Sequence, residues 1–273
     1  MNGTHHTNLN LDGIGLLPQL VLILPFAIGL LIYVLTVIIS NRKYKKWSFF
    51  RMGYWLTGSI CAISSITGPL AELSHSSFEA HMFSHLLLGM LAPLLMVLAA
   101  PLTLLMRALN VNIARRLSRL LRSRLVSFLT NPIIAAILNI GGLWILYTSN
   151  LYSMMHHNIS LYIFIHLHVF IAGFLFTSSM IYIDPTPHRK SYIYRSSVLI
   201  ITLAAHGILS KFIYANPPNG VSISQAEMGA KIMYYGGDVI DIVIIFILCL
   251  KWYQSTKPRL YSPLRTAYAE YPQ

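Results

Sequence analysis

Charge is scarce in this chain. Asp, Glu, Lys and Arg make up only 10% of its 273 residues, and the balance is lopsided, with 8 acidic against 20 basic residues. A soluble domain carries about a quarter charged residues, so composition excludes an ordinary water-facing fold. Cysteine is scarcer still: Cys61 and Cys249 share no paired spacing, which leaves neither a disulfide framework nor a thiolate metal motif. Long polar segments are missing too. The longest stretches between apolar runs are 101–130, 215–231 and the tail from Trp252, with no internal repeat and no low-complexity tract. Function must therefore reside in the apolar body and its rims. The amino terminus lacks a basic n-region and its first apolar run is too long for a signal-peptide core, so that run is expected to persist in the mature protein.

What the chain has is apolar length, with 55% hydrophobic residues. Ile14 to Ile39, Met52 to Ala71, Leu86 to Met106 and Leu125 to Met155 contain no Asp, Glu, Lys, Arg or His. Three further runs, 159–183, 196–214 and 232–250, are interrupted by His166, His168, His206, Asp238 and Asp241. About 20 helical residues cross a hydrocarbon core, and in lipid a run of this kind must close its own backbone hydrogen bonds as a helix. The expectation is an all-α polytopic membrane protein, one integral membrane domain with a seven-transmembrane-helix bundle. The spans are placed at 16–39, 52–71, 82–101, 132–149, 159–182, 196–214 and 232–251.

Eighteen of the 20 basic residues fall after spans one, three, five and seven, leaving only Lys211 and Lys231 for the other side. The positive-inside rule then puts the amino terminus outside and the carboxyl terminus in the cytoplasm. The net charge of +12 thus reports topology rather than nucleic-acid binding. Within 107–125, Leu109, Ile113, Leu117, Leu121 and Leu125 recur every four residues between Arg115, Arg116, Arg119 and Arg122. That pattern predicts an amphipathic helix lying on the anionic cytoplasmic leaflet of the plasma membrane.

Ten of the 11 histidines fall on or toward the outer side, and only His188 is cytoplasmic. His166, His168 and His206 lie ~10 to 14 Å below the outer surface at a helical rise of ~1.5 Å per residue, and Asp238 reaches the same layer. His81 and His85 share one helix face. Ionisable groups inside a membrane are costly and usually functional. Neutral imidazole suits copper, zinc or iron, and methionine sulfur favours cuprous copper. The functional reading is a metal or haem site open to the outer face. Against it stand interhelical hydrogen bonding by the histidines and a structural ion pair for Asp238 and Asp241. His166 and His168, two residues apart, cannot both face one centre. The doublets His5-His6 and His156-His157 are expected to be solvated.

His81-Met82-Phe83-Ser84-His85-Leu86-Leu87-Leu88, continuing through Ala92-Pro93-Leu94-Leu95 to Ala99-Ala100-Pro101, resembles the third-helix signature of the CtaG-type caa3 cytochrome c oxidase assembly factors. Thr67-Gly68-Pro69-Leu70, His166 with Gly173 and Asp184-Pro185, and Glu227 through Asp238 resemble further family segments in the same order. Departures lie at Phe176 and Tyr234, where the family often has Trp, and after Pro93, where it often has a second proline. The resemblance implies a bacterial plasma-membrane protein that matures an aa3-like oxidase by supplying copper to its outer-facing copper centre. It makes His81, His85, His166 and His206 candidate copper ligands, with His168 beside them and Asp238 orienting a ligand or attracting the cation. Oxidase subunits at the outer face would be the partners and no enzymatic step is implied. The rivals are a b-type haem electron carrier and a metal transporter.

Overall fold

The computed structural model describes residues 16–258, and every regular element among them is helical. His5, His6, Arg259 and Arg265 lie outside the described residues. The helices are α1 (Leu16–Lys43), α2 (Phe49–Ile66), α3 (Gly68–Ser76), α4 (Phe78–Leu98), α5 (Pro101–Ala108), α6 (Val111–Leu121) and α7 (Arg124–Leu129). They continue with α8 (Pro132–Thr148), α9 (Leu151–His157), α10 (Ile159–Met180), α11 (Tyr192–Ala215) and α12 (Ile223–Thr256).

Helices α4, α10, α11, α12 and nearly all of α1 are long and apolar enough to cross a membrane, and α8 with α9 makes a sixth if that pair is one crossing. The structure thus gives five to six crossings where composition counts seven. The difference is α2, whose Arg51 and repeated small polar residues (Thr57, Ser59, Ser64, Ser65) dilute its apolar character. Its run also ends early. Thr67 is extended and Gly68 takes φ +69°, a left-handed conformation that glycine adopts without steric cost, and α3 restarts with Pro69 in its first turn. The expected fourth span is likewise broken, since α8 and α9 meet at 80°. The single amphipathic helix expected over 107–125 is instead α6, separated by short breaks from α5 and α7, with no buried residue of its own. Val111, Ile113 and Leu120 stay exposed along it, whereas Leu117 and Leu121 are partly buried.

Two helices carry a π turn, Leu87–Leu91 in α4 and Ile137–Gly141 in α8. The first has a covalent cause. Pro93 has no N–H to give to the carbonyl four residues back, that of Gly89, and the ladder widens locally so that the Ala92 N–H reaches the Leu87 carbonyl. The Gly89 carbonyl then faces α10, where a Cβ on Gly173 would overlap it. The two backbones therefore touch, and this crossing sets the spacing of α4 and α10. On its other side α4 lies along α12, which presents Gly229 and Gly236 to it. A Cβ at Gly229 would stand 2.6 Å from the Phe78 ring, and one at Gly236 would overlap the Leu86 side chain.

The basic end of the bundle is fixed by polar contacts. Asp184 accepts from the Leu102 and Thr103 amides (3.0 and 2.7 Å) and from the Thr103 hydroxyl (2.6 Å), capping α5 from the far side of the chain. The Tyr33 hydroxyl accepts from the Trp47 indole at 3.0 Å and lies 3.2 Å from the Ala99 carbonyl, tying α1 to the α4–α5 turn.

The crossing makes a stability prediction. Gly173→Ala is expected to destabilise the bundle by about 3 kcal/mol, because backbone rather than a flexible side chain blocks the added methyl. Gly53→Ala, where a Cβ meets nothing within 4 Å, should be neutral or stabilising by up to about 1 kcal/mol. Denaturant titration of both variants in detergent reads the difference, and equal stabilities would contradict the backbone contact.

Candidate functional site

Five side chains from four helices converge at the centre of the histidine-rich half. His81 and His85 stand one turn apart on α4, His166 comes from α10, His206 from α11 and Asp241 from α12; each is at most 8% exposed. Two small adjoining cavities separate them. The first, ≈10 Å³, is lined by His81, Ser84, His85 and His166. The second, ≈30 Å³, is lined by His85, His206, Asp241, Asn139, Thr177 and Thr202. Such volumes hold a water molecule or a small ion and nothing larger. His85 belongs to both.

Hydrogen bonds fix which nitrogens are available. The His166 Nδ1 lies 2.8 Å from the Tyr162 carbonyl. A carbonyl only accepts, so Nδ1 carries the proton and Nε2 keeps its lone pair. That second-sphere arrangement is the usual one for a ligating imidazole. His81 Nε2 pairs with the Tyr147 hydroxyl at 3.1 Å, and its ring lies 6.4 Å from that of His85. His206 is the exception, because its Nε2 is buried without any partner. Gly237 makes room for it, since a Cβ there would stand 2.6 Å from the His206 ring.

The structure divides the residues singled out from the sequence. His81, His85, His166 and His206 are brought together. His168 is not: its Nε2 donates to the Leu138 carbonyl at 3.1 Å, inside the π turn of α8, and Gly142 leaves space for the ring. Asp238 does not line the cavities, being exposed on the bundle surface, although its carboxylate stands near enough to act on His206 and Asp241. The acid at the site is Asp241. It lies one turn beyond Gly237 on the same face of α12, whereas Asp238 is rotated by about 100° from Gly237. That i, i+4 relation to a glycine was the available signal for Asp241. Tyr147 had none, because its contact with His81 depends on how α8 packs against α4.

Above this layer the expected solvation of His156-His157 holds for His157 alone. His156 is half-buried, with its Nδ1 3.3 Å from that of His75. Burial pulls the His75 pKa below its ordinary value. The His75 ring is 5.3 Å from Tyr162, which in turn stacks 4.0 Å from His166, and His156 is 6.5 Å from His81. Imidazole and phenol rings thus run without a gap from the rim to the buried layer. Among the described residues no three His, Cys, Asp or Glu side chains are drawn together tightly enough to hold a metal ion, so the constellation is an open one.

The family model of the cytochrome c oxidase caa3 assembly factors (Caa3_CtaG) matches residues 31–255. The chain belongs to this family. Its long apolar helices make it a multi-pass protein of the bacterial membrane. Over 241 residues it is 26% identical to an uncharacterized protein of Mycobacterium leprae (strain TN), an alignment covering 81% of this chain. The chain spans only 37% of the length of that curated relative. No solved structure matches it.

The unpartnered nitrogen separates a structural from a functional role for His206. A buried polar atom without a partner costs about 1–3 kcal/mol, so His206→Leu is expected to leave the protein as stable as the parent or more stable. Thermal melts in detergent test this. A marked loss of stability would mean that the imidazole holds helices together.

Proposed function

We propose that this caa3 assembly factor works without catalysis, carrying copper to an oxidase subunit docked at its histidine-rich face. The observation that supports the reading is the sharing of His85 between two small cavities that together present four buried imidazoles and one carboxylate. Neutral imidazoles are good ligands for cuprous and cupric ions, and the free Nε2 atoms of His166 and His206 are donors without another use. Asp241 would supply the negative charge that draws a cation into a low-dielectric layer. An open set of donors suits a carrier better than a resident centre, because cargo must leave by ligand exchange with the partner. The cavities are far below the ~300 Å³ at which ligand pockets begin, which disfavours a haem between these histidines.

The topology that goes with this function has α2 as a further crossing, seven in all, with the histidine-rich end outside. The clustering of Arg and Lys at the opposite end supports it. In a background where Cys61 and Cys249 are replaced by Ala, Asn219→Cys should react with a membrane-impermeant maleimide on intact cells. Ser255→Cys should react only after lysis, and the reverse pattern would invert the orientation.

Metal content after cuprous loading tests the cargo. The purified protein is expected to retain about one copper per chain, and His81→Ala with His85→Ala should abolish both retention and oxidase maturation while the protein still inserts. A Soret band would instead indicate haem. Maturation that survives the double substitution would remove the pair from the mechanism.

A further inference from the structure

At the end opposite the histidines, the start of α11, the end of α12 and the segment joining α10 to α11 enclose a cavity of about 660 Å³. Arg189, Lys190, Arg195 and Lys251 line it, and no acidic side chain does. Four positive charges therefore converge with no carboxylate among them. Two of the four are fixed by the fold. Arg195 is 2% exposed and lies between the Tyr182 and Tyr192 rings, 4.2 and 4.4 Å from their centres, with one guanidinium nitrogen donating to the Met180 carbonyl. Its Nε is buried without a partner. Lys251 is held by the Tyr182 carbonyl at 2.6 Å. Arg189 and Lys190 stand exposed at the mouth, and the Lys190 amide donates to the Tyr182 hydroxyl at 3.0 Å.

A buried guanidinium with an unused N–H beside like charges is costly unless an anion completes it. Planar N–H forks and ammonium groups together match phosphate oxygens. We infer that this cavity is a phosphate-binding site, filled by the headgroup phosphate of an anionic phospholipid or by a free phosphate. The position favours the lipid, since basic pockets between helices at the membrane surface take such headgroups. The exposed pair would capture the anion, and Arg195 and Lys251 would fix its phosphate against the tyrosine-lined wall.

The full chain is reconstituted in phosphatidylcholine nanodiscs with and without phosphatidylglycerol, and bound lipid is read by native mass spectrometry. In a parallel arm, inorganic phosphate is titrated against the detergent-solubilised protein at constant ionic strength while the melting temperature is followed. Neutralising the mouth with Arg189→Gln and Lys190→Gln should weaken binding about 30-fold, at about 1 kcal/mol for each cation. The same changes at Arg115 and Arg116 of α6 serve as a control for general charge. Retention of phosphatidylglycerol that the mouth variant loses and the α6 variant keeps identifies the lipid headgroup. A phosphate-induced rise in melting temperature with that same variant pattern, without lipid retention, identifies the free anion. Equal behaviour of the two variants, or no response in either arm, overturns the site.

Discussion

The backbone contact between Gly89 and Gly173 is the constraint on which the site depends. It exists because Pro93 withholds an N–H, the α4 ladder opens into a π turn, and the Gly89 carbonyl is left facing α10. Only glycine at position 173 allows the approach. With the two axes this close, His85 one turn above the crossing and His166 two turns before it come to line the same void. Glycines along α12 do the same on the other flank, where Gly237 admits the His206 ring and fixes the face on which Asp241 appears. Polar groups that would be expensive in lipid are thus placed by close contacts that carry no polarity themselves.

The protein keeps its two chemistries at opposite ends. Buried imidazoles, phenols and one buried carboxylate, Asp241, lie in the histidine-rich half, whereas guanidinium and ammonium groups gather at the other rim. The tyrosines at the basic rim serve differently from those near the histidines. Tyr182 and Tyr192 sandwich a cation, while the Tyr147 hydroxyl and the Tyr162 backbone carbonyl set the hydrogen bonding of imidazoles. Membership of the caa3 assembly factors gives the polar layer a biological setting, and the conserved chemistry of imidazole gives the proposal of copper its physical basis.

Much of this was legible in the sequence, and what was not has particular causes. Apolar length and the distribution of Lys and Arg marked the helices, and the i, i+4 spacing of His81 and His85 marked their shared face. The separation of His166 from His168 followed from helix geometry, although which of them turned inward did not. That choice rests on the π turn of α8, whose Leu138 carbonyl takes the His168 proton, and no periodicity reports a π turn. Asp238 drew attention as the acid nearest the aligned histidines by residue count, yet depth says nothing about rotation, and Asp241 holds the inward face. The break at Thr67 and Gly68 was signalled by the Gly68-Pro69 pair, which can kink or end an apolar run, but not by the apolar pattern itself. The pairing of His75 with His156 needed the bend between α8 and α9.

The π turn in α4 also makes chain length part of the site. A residue lost between His85 and Pro93 would shorten a segment whose ladder Pro93, still without an N–H, keeps open. It would also rotate the histidine-bearing turns by about 100° relative to the Pro93 end. His81 and His85 would then face lipid or a neighbouring helix while the rest of the bundle stayed in register. Spacing here is thus as much a determinant as residue identity, and a single-codon deletion is a more disruptive lesion than most substitutions in the same segment.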